Sequence, residues 1–284
     1  MSNVKMRVWD VKHGNAIYIK TPNDRTMVFD LGRGDYSENR EERSPLETLR
    51  DHYKVRTIDY LMISHPHKDH IDDILNIDHF NVSSLHRPRV NKNDVLLGVS
   101  DRDKSKFEKY FELDERFTSS STGGRNDLTI PENFGGMSFQ HFSTPSLQKN
   151  LNNLSLLMVI KYEGIKVVIP GDNEYDSLEL LMQRDSFRTA VKDCDILIAP
   201  HHGRESAYHK EFLTLANPRL TIISDGSVCD TSANPKYSAS SRGWAVYKNG
   251  QPQDRKLLTT NCDGEIYIDF GRNTTNKFLH VQIK

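Results

Sequence analysis

Four side chains that can ligate a metal ion stand within residues 65–70, which read His-Pro-His-Lys-Asp-His. They are three histidines and an aspartate, in a chain with 12 histidines among 284 residues. The alternating pair His65 and His67 projects one way from extended backbone, whereas the adjacent Asp69 and His70 can turn toward a second point. One ion would be crowded by all four ligands. The spacing therefore predicts two ions that share a later carboxylate.

Each group of candidate ligands follows an apolar run that is typical of a buried strand. The groups are residues 65–70 after the run 60–63, Asp172 after the run 165–169 and a Pro-Gly turn, and His201 with His202 after the run 195–199. Sites in α/β proteins form where loops at the ends of several strands converge on one edge of a sheet. We therefore expect the three groups to meet, with Asp172 bridging the two ions.

The rest of the chain predicts short strands that alternate with helices. The segment 44–47, Ser-Pro-Leu-Glu, is a capping-box pattern that predicts a helix to about Tyr53, and residues 72–80 predict a second helix. Further helices are predicted at residues 177–181 and 208–215. Strands are predicted at 6–11, 16–19, 27–31, 154–160, 165–169, 195–199 and 220–224, and strands at 244–247, 256–259, 265–268 and 278–283 are expected to complete a second sheet.

Residues 1–284 are predicted to form a single domain with an insertion at about 91–128. Residues 94–117 have helical spacing of apolar side chains, and residues 118–126 are rich in Ser, Thr, Gly and Arg. Strands resume directly afterwards, so this segment is expected to be an insertion or lid over the site rather than a domain linker. A surface loop without fixed structure is the alternative for residues 118–126.

Composition is ordinary for a globular protein, with 36% hydrophobic and 27% charged residues and a net charge of -1. This balance gives no whole-protein reason to expect a nucleic-acid or membrane surface. Cys194, Cys229 and Cys262 lack CxxC spacing, which favours inert thiols in a reducing compartment over disulfides or a cysteine-zinc site. No apolar signal core or long apolar run is present. A cytoplasmic protein without a membrane partner is therefore predicted, and its oligomeric state is not indicated.

The motif order H-x-H-x-D-H, G-D and P-H-H-G resembles the metallo-β-lactamase fold. Within that fold it is most similar to the hydrolase domain of ComEC-type DNA-uptake proteins and to phosphorylcholine esterases. The likeness extends over residues 10–17, which read D-V-x-x-G-x-A-I, the Asp-Leu-Gly turn at 30–32, residues 153–156 before the G-D pair, and Thr260 with 263–264. The resemblance implies an α/β protein, a four-layer αββα sandwich with two metal ions between the loop ends of its sheets.

The resemblance also implies a role for each motif residue. The implied assignment is His65 and His67 to the first ion, Asp69 and His70 to the second, Asp172 between the two, and His202 completing the second site. His201 is the alternative ligand to His202, or else contacts an anionic substrate.

The chain departs from the family pattern at three places. Asn15 stands where the opening motif usually has Asp, and Asn234-Pro235 stands where ComEC-type chains have His-Pro, so an altered substrate grip is implied. The histidine that the fold usually supplies upstream of the bridging aspartate is missing from residues 143–146. His141 is the nearest candidate, but it lies in a predicted strand and is interpreted as structural. The first ion is therefore expected to bind loosely.

The ligands predict hydrolysis. Histidine and carboxylate ligands without cysteine suit Zn or Mn, with Fe as a further possibility. Metal binding lowers the pKa of bridging water from 15.7 toward ~7, which gives hydroxide at neutral pH. Asp69 would orient that water and accept its proton, while the ions and His201 would stabilise charge on the attacked group. Two metals with oxygen ligands favour a phosphodiester, because charge develops on both the entering and the leaving oxygen.

The leading functional prediction is a metal-dependent phosphodiesterase or nuclease that acts on DNA or RNA. Arg204 and Asn234 are its predicted substrate-binding residues. Basic residues near the predicted rim that could bind phosphates are Lys68, Arg87, Arg89, Arg204, Lys236 and Arg242.

Two alternatives remain open. One is an ester, thioester, lactam or small phosphoester hydrolase. Its apolar pocket would be lined by Trp9, Trp244, Tyr208 and Tyr237, which otherwise belong to the core. The other is a non-catalytic regulatory module that keeps its metals.

Overall fold

The computed structural model describes residues 3–34, 44–119, 122–147, 150–226 and 232–284. Two of the predicted inert thiols lie in these ranges, and both are free: Cys194 is buried and Cys262 is exposed. The third, Cys229, lies outside the described residues.

The strands form a nine-stranded sheet, a six-stranded sheet and a small two-stranded pair within these ranges. In chain order they are β1 (Asn3–Val8), β2 (Ile17–Lys20), β3 (Thr26–Phe29), β4 (Thr57–Ile58), β5 (Tyr60–Met62), β6 (Asn81–Val82), β7 (Leu85–His86), β8 (Ser138–Phe142), β9 (Leu157–Tyr162), β10 (Ile165–Ile169), β11 (Ile196–Ile198), β12 (Leu220–Ile223), β13 (Trp244–Lys248), β14 (Gln251–Arg255), β15 (Leu257–Thr259), β16 (Ile266–Arg272) and β17 (Lys277–Ile283).

Helices connect the strands and pack on the outer faces of the two large sheets. They are α1 (Pro45–Asp51), α2 (Lys68–Ile71), α3 (Lys92–Leu96), α4 (Lys104–Arg116), α5 (Tyr175–Met182), α6 (Asp185–Val191), α7 (Lys210–Ala216), α8 (Asn234–Ser240) and α9 (Thr260–Asp263). Short 3-10 turns lie at Ile74–His79, Pro131–Phe134, Pro145–Leu147, Asn152–Leu154, Pro200–Gly203 and Glu205–Ala207. The predicted cap of α1 is present, since Ser44 Oγ accepts a hydrogen bond from the Glu47 amide at 3.0 Å.

Three separate hydrophobic cores give the molecule four layers. The central core lies between the two large sheets and contains side chains such as Met6, Ile160 and Ile268. A second core packs α1 and α4 on the outer face of the nine-stranded sheet. The third packs α5, α6, α7 and α8 on the outer face of the six-stranded sheet. The six-stranded sheet and the N-terminal strands of the nine-stranded sheet therefore have helices on one face and the other sheet on the opposite face, whereas the outer faces of β13, β14, β16 and β17 are exposed or half-buried.

Most of the C-terminal strands join the N-terminal sheet, so the prediction that they complete a second sheet is wrong for them. The nine-stranded order is β14-β13-β17-β16-β1-β2-β3-β5-β7, and the six-stranded order is β15-β12-β11-β10-β9-β8. β16 pairs antiparallel with β1, opposing Met6 to Ile268. Their alternating apolar side chains fill the same central core, whereas only β15 pairs with β12. Alternation predicts a strand and its buried face, but it does not select the partner strand.

The strands that precede the motifs run parallel to one another and end at one edge. β5 lies between β3 and β7 in parallel, and β10, β11 and β12 are also parallel neighbours. At this edge the Leu156 amide donates to the Ser64 carbonyl at 3.0 Å, which ties the two sheets together. The loops after β3, β5, β10 and β11 therefore converge, as expected for α/β sites.

The described part of residues 91–128 reaches two different regions: the start of α4 lies beside α2, where Asp103 pairs with Lys68 at 3.4 Å, while residue 125 lies at the other end of the sheet. A lid over the site stays a prediction. The helical pattern is interrupted between α3 and α4, and α4 buries Phe107 and Tyr110 in the outer layer. Arg25 holds the Arg125 carbonyl at 2.7 Å. Arg25 precedes β3 at the end of the sheet opposite the motifs, so this contact places residue 125 far from the site. In place of the predicted helix 72–80 the structure has the 3-10 turn at Ile74–His79, and α2 ends just before this segment.

Among the described residues, none of the helices combines the length and the apolar character needed to span a bilayer.

Candidate metal centre

Four of the predicted ligands meet in one cluster. Asp69, His70, Asp172 and His202 each offer a ligand atom, and these atoms all lie within 4.8 Å of one another. As whole residues, His70, Asp172 and His202 are 0 to 3% exposed, while Asp69 is 9% exposed. The cluster is thus buried, with Asp69 on its most accessible side.

The spacing of these atoms fits a single divalent ion. His202 Nε2 lies 3.1 Å from Asp69 Oδ2 and 3.4 Å from Asp172 Oδ2. His70 Nε2 lies 3.1 Å from Asp172 Oδ1 and 3.7 Å from Asp69 Oδ2. Ligands at about 2.1 Å from a tetrahedral ion stand about 3.4 Å apart, and these four distances, which involve both carboxylate oxygens of Asp172, are close to that spacing.

In His202 and His70, a hydrogen bond fixes Nδ1, so that Nε2 remains available to bind the ion. His202 Nδ1 lies 2.7 Å from the Ser224 carbonyl, which can only accept, so Nδ1 carries the proton. His70 Nδ1 lies 2.8 Å from Asp30 Oδ2 in the same way. Within the described part of the chain, His70 Nε2 is buried and makes no well-directed hydrogen bond. Such carboxylate and carbonyl contacts are typical of histidines that bind metal.

His65 and His67 lie beside this cluster at the predicted first site. His65 Nε2 is 2.9 Å from His67 Nδ1 and 3.8 Å from Asp172 Oδ2, so Asp172 faces both groups. The Ser155 hydroxyl holds His65 Nδ1 at 3.1 Å. His141 is exposed in β8, and its ring packs against His86 with centroids 4.6 Å apart. The first site thus gathers two histidines and a carboxylate, and a loosely bound first ion stays a prediction.

Two glycines permit the close approach of the loops that carry the ligands. A Cβ on Gly14 would stand 2.6 Å from the Asp69 carbonyl oxygen, and one on Gly171 would stand 2.9 Å from Ser64 Cβ. Both glycines also have positive φ, 143° and 61°. The loops before β2, after β5 and after β10 can therefore pack directly against one another.

The His201-His202-Gly203 turn has an unusual backbone. Its φ angles are 44°, 53° and 73°, so two histidines in succession occupy the left-handed region. Such non-glycine residues cost about 1–3 kcal/mol each and persist only where the surroundings hold them. The His201 amide donates to the Gly171 carbonyl at 3.1 Å, and the Ala233 amide donates to the Gly203 carbonyl at 2.8 Å. The turn points His202 into the cluster and leaves His201 at its side.

His201 is oriented by Glu174, which the sequence analysis did not assign. His201 Nδ1 lies 3.0 Å from Glu174 Oε1 and 3.1 Å from Ser206 Oγ, while Nε2 lies 3.9 Å from Asp172 Oδ2. The hydrogen bond from His201 lowers the pKa of Glu174 to about 2. In the sequence, Glu174 follows the predicted ligand Asp172 by two residues in the same turn, and this position could have indicated a role at the site.

Opposite charges stabilise one another across the cluster. Burial by itself would lower the pKa of His202, but Asp172 and Asp69 raise it to about 10. Asp172, Asp30 and Asp69 likewise raise the pKa of His70 against the effect of burial. Burial would raise the pKa of Asp172, but His70 and His202 hold it well below its usual range. By contrast, burial lowers the pKa of His65.

Metal binding is therefore expected to release protons. At pH 7 and without metal, His202 is protonated because its pKa is about 10, and the raised pKa of His70 favours its protonated form. An ion must displace these protons to reach Nε2, so its affinity should rise about tenfold per pH unit for each proton released. Calorimetry in buffers of different ionisation enthalpy measures the released protons. An affinity that is constant between pH 6 and 8 would contradict this expectation.

Only Arg204 among the predicted basic residues contacts the cluster region in the described structure. Arg204 Nη2 lies 3.3 Å from His13 Nε2, and His13 Nε2 lies 3.4 Å from Asp69 Oδ2. The other five have partners elsewhere. Lys68 pairs with Asp103, Lys236 with Glu205, and both Arg87 and Arg89 with Asp114. Arg87 also donates to the carbonyls of Asp114 and Phe117, and Arg242 donates to those of Asn217 and Cys194. A broad basic groove is therefore not supported by these side chains.

The other predicted substrate contacts are placed less directly. Asn234 begins α8 beside Ala233, whose amide binds the Gly203 carbonyl, so it lies near the His-His-Gly turn. Asn15 is 4% exposed and donates to Asp30 Oδ2 at 3.0 Å, so it supports His70 through Asp30. The aromatic candidates belong to the cores instead: Trp9, Tyr237, Tyr208 and Trp244.

Three further polar residues at this edge were missed. Asp30 binds His70, and Asp225 lies 3.1 Å from His13. His13 was treated as a variable position of the opening motif, although a titratable side chain beside a motif glycine was a usable signal. Asp225 follows β12 directly, at the same edge as the other ligand loops.

No protein-family model and no curated protein matches this sequence. Solved structures are similar at low identity. A mutant of the CmlA β-hydroxylase is 13% identical, with 79% of this chain and 46% of that chain covered and a TM-score of 0.48. The long form RNase Z from yeast is 12% identical, with 89% and 42% covered and a TM-score of 0.43. The hydrolase AbOPH, of the β-lactamase superfamily, is 14% identical, with 56% and 55% covered and a TM-score of 0.32.

The chain spans less than half the length of the first two of these structures and little more than half of the third. The layers of the chain itself are two large sheets packed face to face, with helices on both outer faces. The predicted α/β class and four-layer αββα architecture are therefore confirmed by the layers of the chain itself.

Proposed function

We propose that this chain is a metal-dependent hydrolase of phosphodiesters, with DNA or RNA as the leading substrate class. The observation that carries the proposal is a buried nitrogen and oxygen cluster centred on Asp172, with the guanidinium of Arg204 close by. Such a cluster suits divalent ions, and a neighbouring arginine suits phosphate oxygens. The resemblance of the motifs to ComEC-type hydrolase domains and phosphorylcholine esterases adds to the proposal.

The proposed ligands are His65 and His67 for one ion, Asp69, His70 and His202 for the other, and Asp172 for both. When bound, such ions polarise the ester and make water acidic enough to ionise near neutral pH. Zn and Mn are the proposed metals, and Fe also suits these ligands.

The surrounding side chains have distinct proposed roles. Asp69 orients the attacking water and takes up its proton, since it is the most accessible carboxylate of the cluster. With protons on both ring nitrogens, His201 donates from Nδ1 to Glu174 and presents Nε2–H toward the centre, so that it can stabilise negative charge on the attacked phosphoryl group. Arg204 binds a substrate oxygen, and Asn234 lies near the same turn. None of these roles requires the apolar pocket that a lactam or thioester would favour.

The test is turnover by the purified protein after metal removal and reloading with Mn or Zn. We expect cleavage of bis-p-nitrophenyl phosphate or DNA, and we expect Asp69→Ala to reduce it at least about 100-fold, because a ligand and a proton acceptor are both lost. Asp101→Ala is the matched control, since Asp101 is an exposed acid far along the chain. Equal cleavage by the wild type and Asp69→Ala would contradict the proposal.

A panel of carboxylic ester, thioester, lactam and small phosphoester substrates separates the alternatives. Faster turnover of any of these than of a phosphodiester would favour another hydrolase of the same fold. Metal binding without turnover of any substrate would favour a non-catalytic regulatory module.

A further inference from the structure

His13 lies at the mouth of the metal centre although it belongs to none of the recognised ligand motifs. Its neighbour Gly14 packs closely against Asp69, and the ring centroid of His13 lies 4.5 Å from that of His202. Its Nε2 lies 3.4 Å from Asp69 Oδ2, and its Nδ1 lies 3.1 Å from Asp225 Oδ1. His13 thus connects the first loop of the chain with the loop after β12.

The hydrogen-bonding partners determine how His13 is oriented. Arg204 Nη2 lies 3.3 Å from His13 Nε2, and a guanidinium can only donate. Nε2 therefore accepts from Arg204, which leaves Nδ1 to donate to Asp225. Asp225 is itself held, because Oδ1 accepts from the Gly226 amide at 2.8 Å and its own amide donates to Thr260 Oγ1 at 3.1 Å. The result is a chain of contacts from Asp225 through His13 to Arg204.

Arg204 differs from the structural arginines of this protein. Arg87, Arg219 and Arg255 each form an ion pair with an aspartate. Among the residues that the structure describes, no carboxylate lies within ion-pair distance of Arg204, and its Nε is buried without a hydrogen bond. A half-buried guanidinium with donors to spare beside a metal cluster is suited to an anionic oxygen of a ligand.

We propose that Asp225, His13 and Arg204 form a phosphate-binding relay, that is, a chain of contacts in which Arg204 contacts a phosphoryl oxygen. His13 and Asp225 hold the guanidinium of Arg204 in position. The relay rests on the proposed function and deepens it, because it assigns the residues that position the phosphate-binding Arg204. His13 and Asp225 are positioning residues. They act through Arg204 and do not ligate the ion.

The relay is tested by binding of inorganic phosphate to the Mn-loaded protein, measured by calorimetry without any turnover. His13→Ala and Arg204→Ala should each weaken phosphate affinity about tenfold or more, as expected for a lost charge-assisted hydrogen bond or its support. The double variant should lose little more than Arg204→Ala alone, because the two residues act as one unit. His13→Gln, which retains an acceptor, should recover part of the affinity.

Two further measurements separate positioning from other roles. With bis-p-nitrophenyl phosphate, His13→Ala should raise KM more than it lowers kcat, since uniform substrate binding is lost. Its affinity for Mn should stay within about twofold of the wild type, whereas loss of a ligand or of its orienting partner costs about 10-fold or more. Arg188→Ala, an exposed arginine on α6, is the matched control. Thermal unfolding checks that each variant is folded.

The outcomes distinguish this inference from the proposed function. Phosphate binding that depends on His13 and Arg204, in a protein that cleaves no phosphodiester, would support the relay and contradict the function. Phosphodiester cleavage that is unaffected in both variants would support the function and contradict the relay. The relay is also overturned if the wild type binds no phosphate, if the two substitutions are additive, or if His13→Ala weakens Mn binding tenfold.

Discussion

Replacing Asp172 with alanine should abolish stable metal binding and, with it, hydrolysis. Its Oδ1 lies 3.1 Å from His70 Nε2, and its Oδ2 lies 3.4 Å from His202 Nε2 and 3.8 Å from His65 Nε2. One side chain thus faces histidines of both predicted sites. Removal of a mere orienting partner costs about 10- to 100-fold in metal affinity, so loss of this carboxylate should cost at least about 100-fold.

A second effect of Asp172→Ala concerns the protonated histidines. Asp172 is the largest contributor that raises the pKa of His202 to about 10. Without it, the pKa of His202 should fall, and fewer protons should be released when metal binds. Elemental analysis after dialysis and competition with a coloured chelator measure the affinity.

Asp176→Asn is the matched control for Asp172, because it changes an exposed acid four residues further on. It should retain metal and activity at the wild-type level. Asp172→Ala protein that keeps its full complement of metal would show that the ions bind elsewhere, and the proposed centre would then be wrong.

Replacing Asp30 with asparagine should destabilise the protein and weaken metal binding together. Asp30 is fully buried and accepts hydrogen bonds from the Ser64 amide at 2.6 Å, the Ser64 hydroxyl at 2.9 Å, Asn15 at 3.0 Å and His70 Nδ1 at 2.8 Å. An amide group presents one acceptor and two protons, so at least one donor would face a donor. Breaking a buried pair of this kind costs about 3–5 kcal/mol in unfolding free energy.

The loss of metal affinity in Asp30→Asn has a separate cause. Asp30 holds His70 with its proton on Nδ1, and an asparagine amide could instead donate to Nδ1 and place the proton on Nε2. A proton on Nε2 competes with the ion. The affinity should therefore fall about 10- to 100-fold. Chemical denaturation without metal measures the first effect, and a metal titration of the folded variant measures the second.

Asp24→Asn provides a close control for Asp30→Asn. Asp24 and Asp30 both adopt positive φ, 64° and 58°, which asparagine tolerates, so backbone strain is matched. Asp24 is exposed and pairs with Lys20, and exposed pairs of this kind contribute little to stability. If both variants were equally stable and bound metal equally, the role of Asp30 would be contradicted.

The sequence by itself determined the fold class and the ligands that meet. Apolar runs of strand length ended in metal-binding residues, and parallel strands of a sheet deliver such ends to one edge. Asp69, His70, Asp172 and His202 were therefore predictable as a group, and they lie within 4.8 Å in the structure. The capping box before α1 was equally local, because Ser44 contacts a residue only three positions away.

Only the tertiary structure decided which strands pair and which polar residues surround the ligands. The C-terminal strands cross to β1 because their apolar faces complete the central core, and a pattern of alternation is the same for either sheet. Asp30 and Asp225 look like ordinary turn residues in the sequence. Their roles arise from contacts with His70 and His13 across 40 and 212 positions of chain. Such long-range contacts depend on packing, which no local spacing encodes.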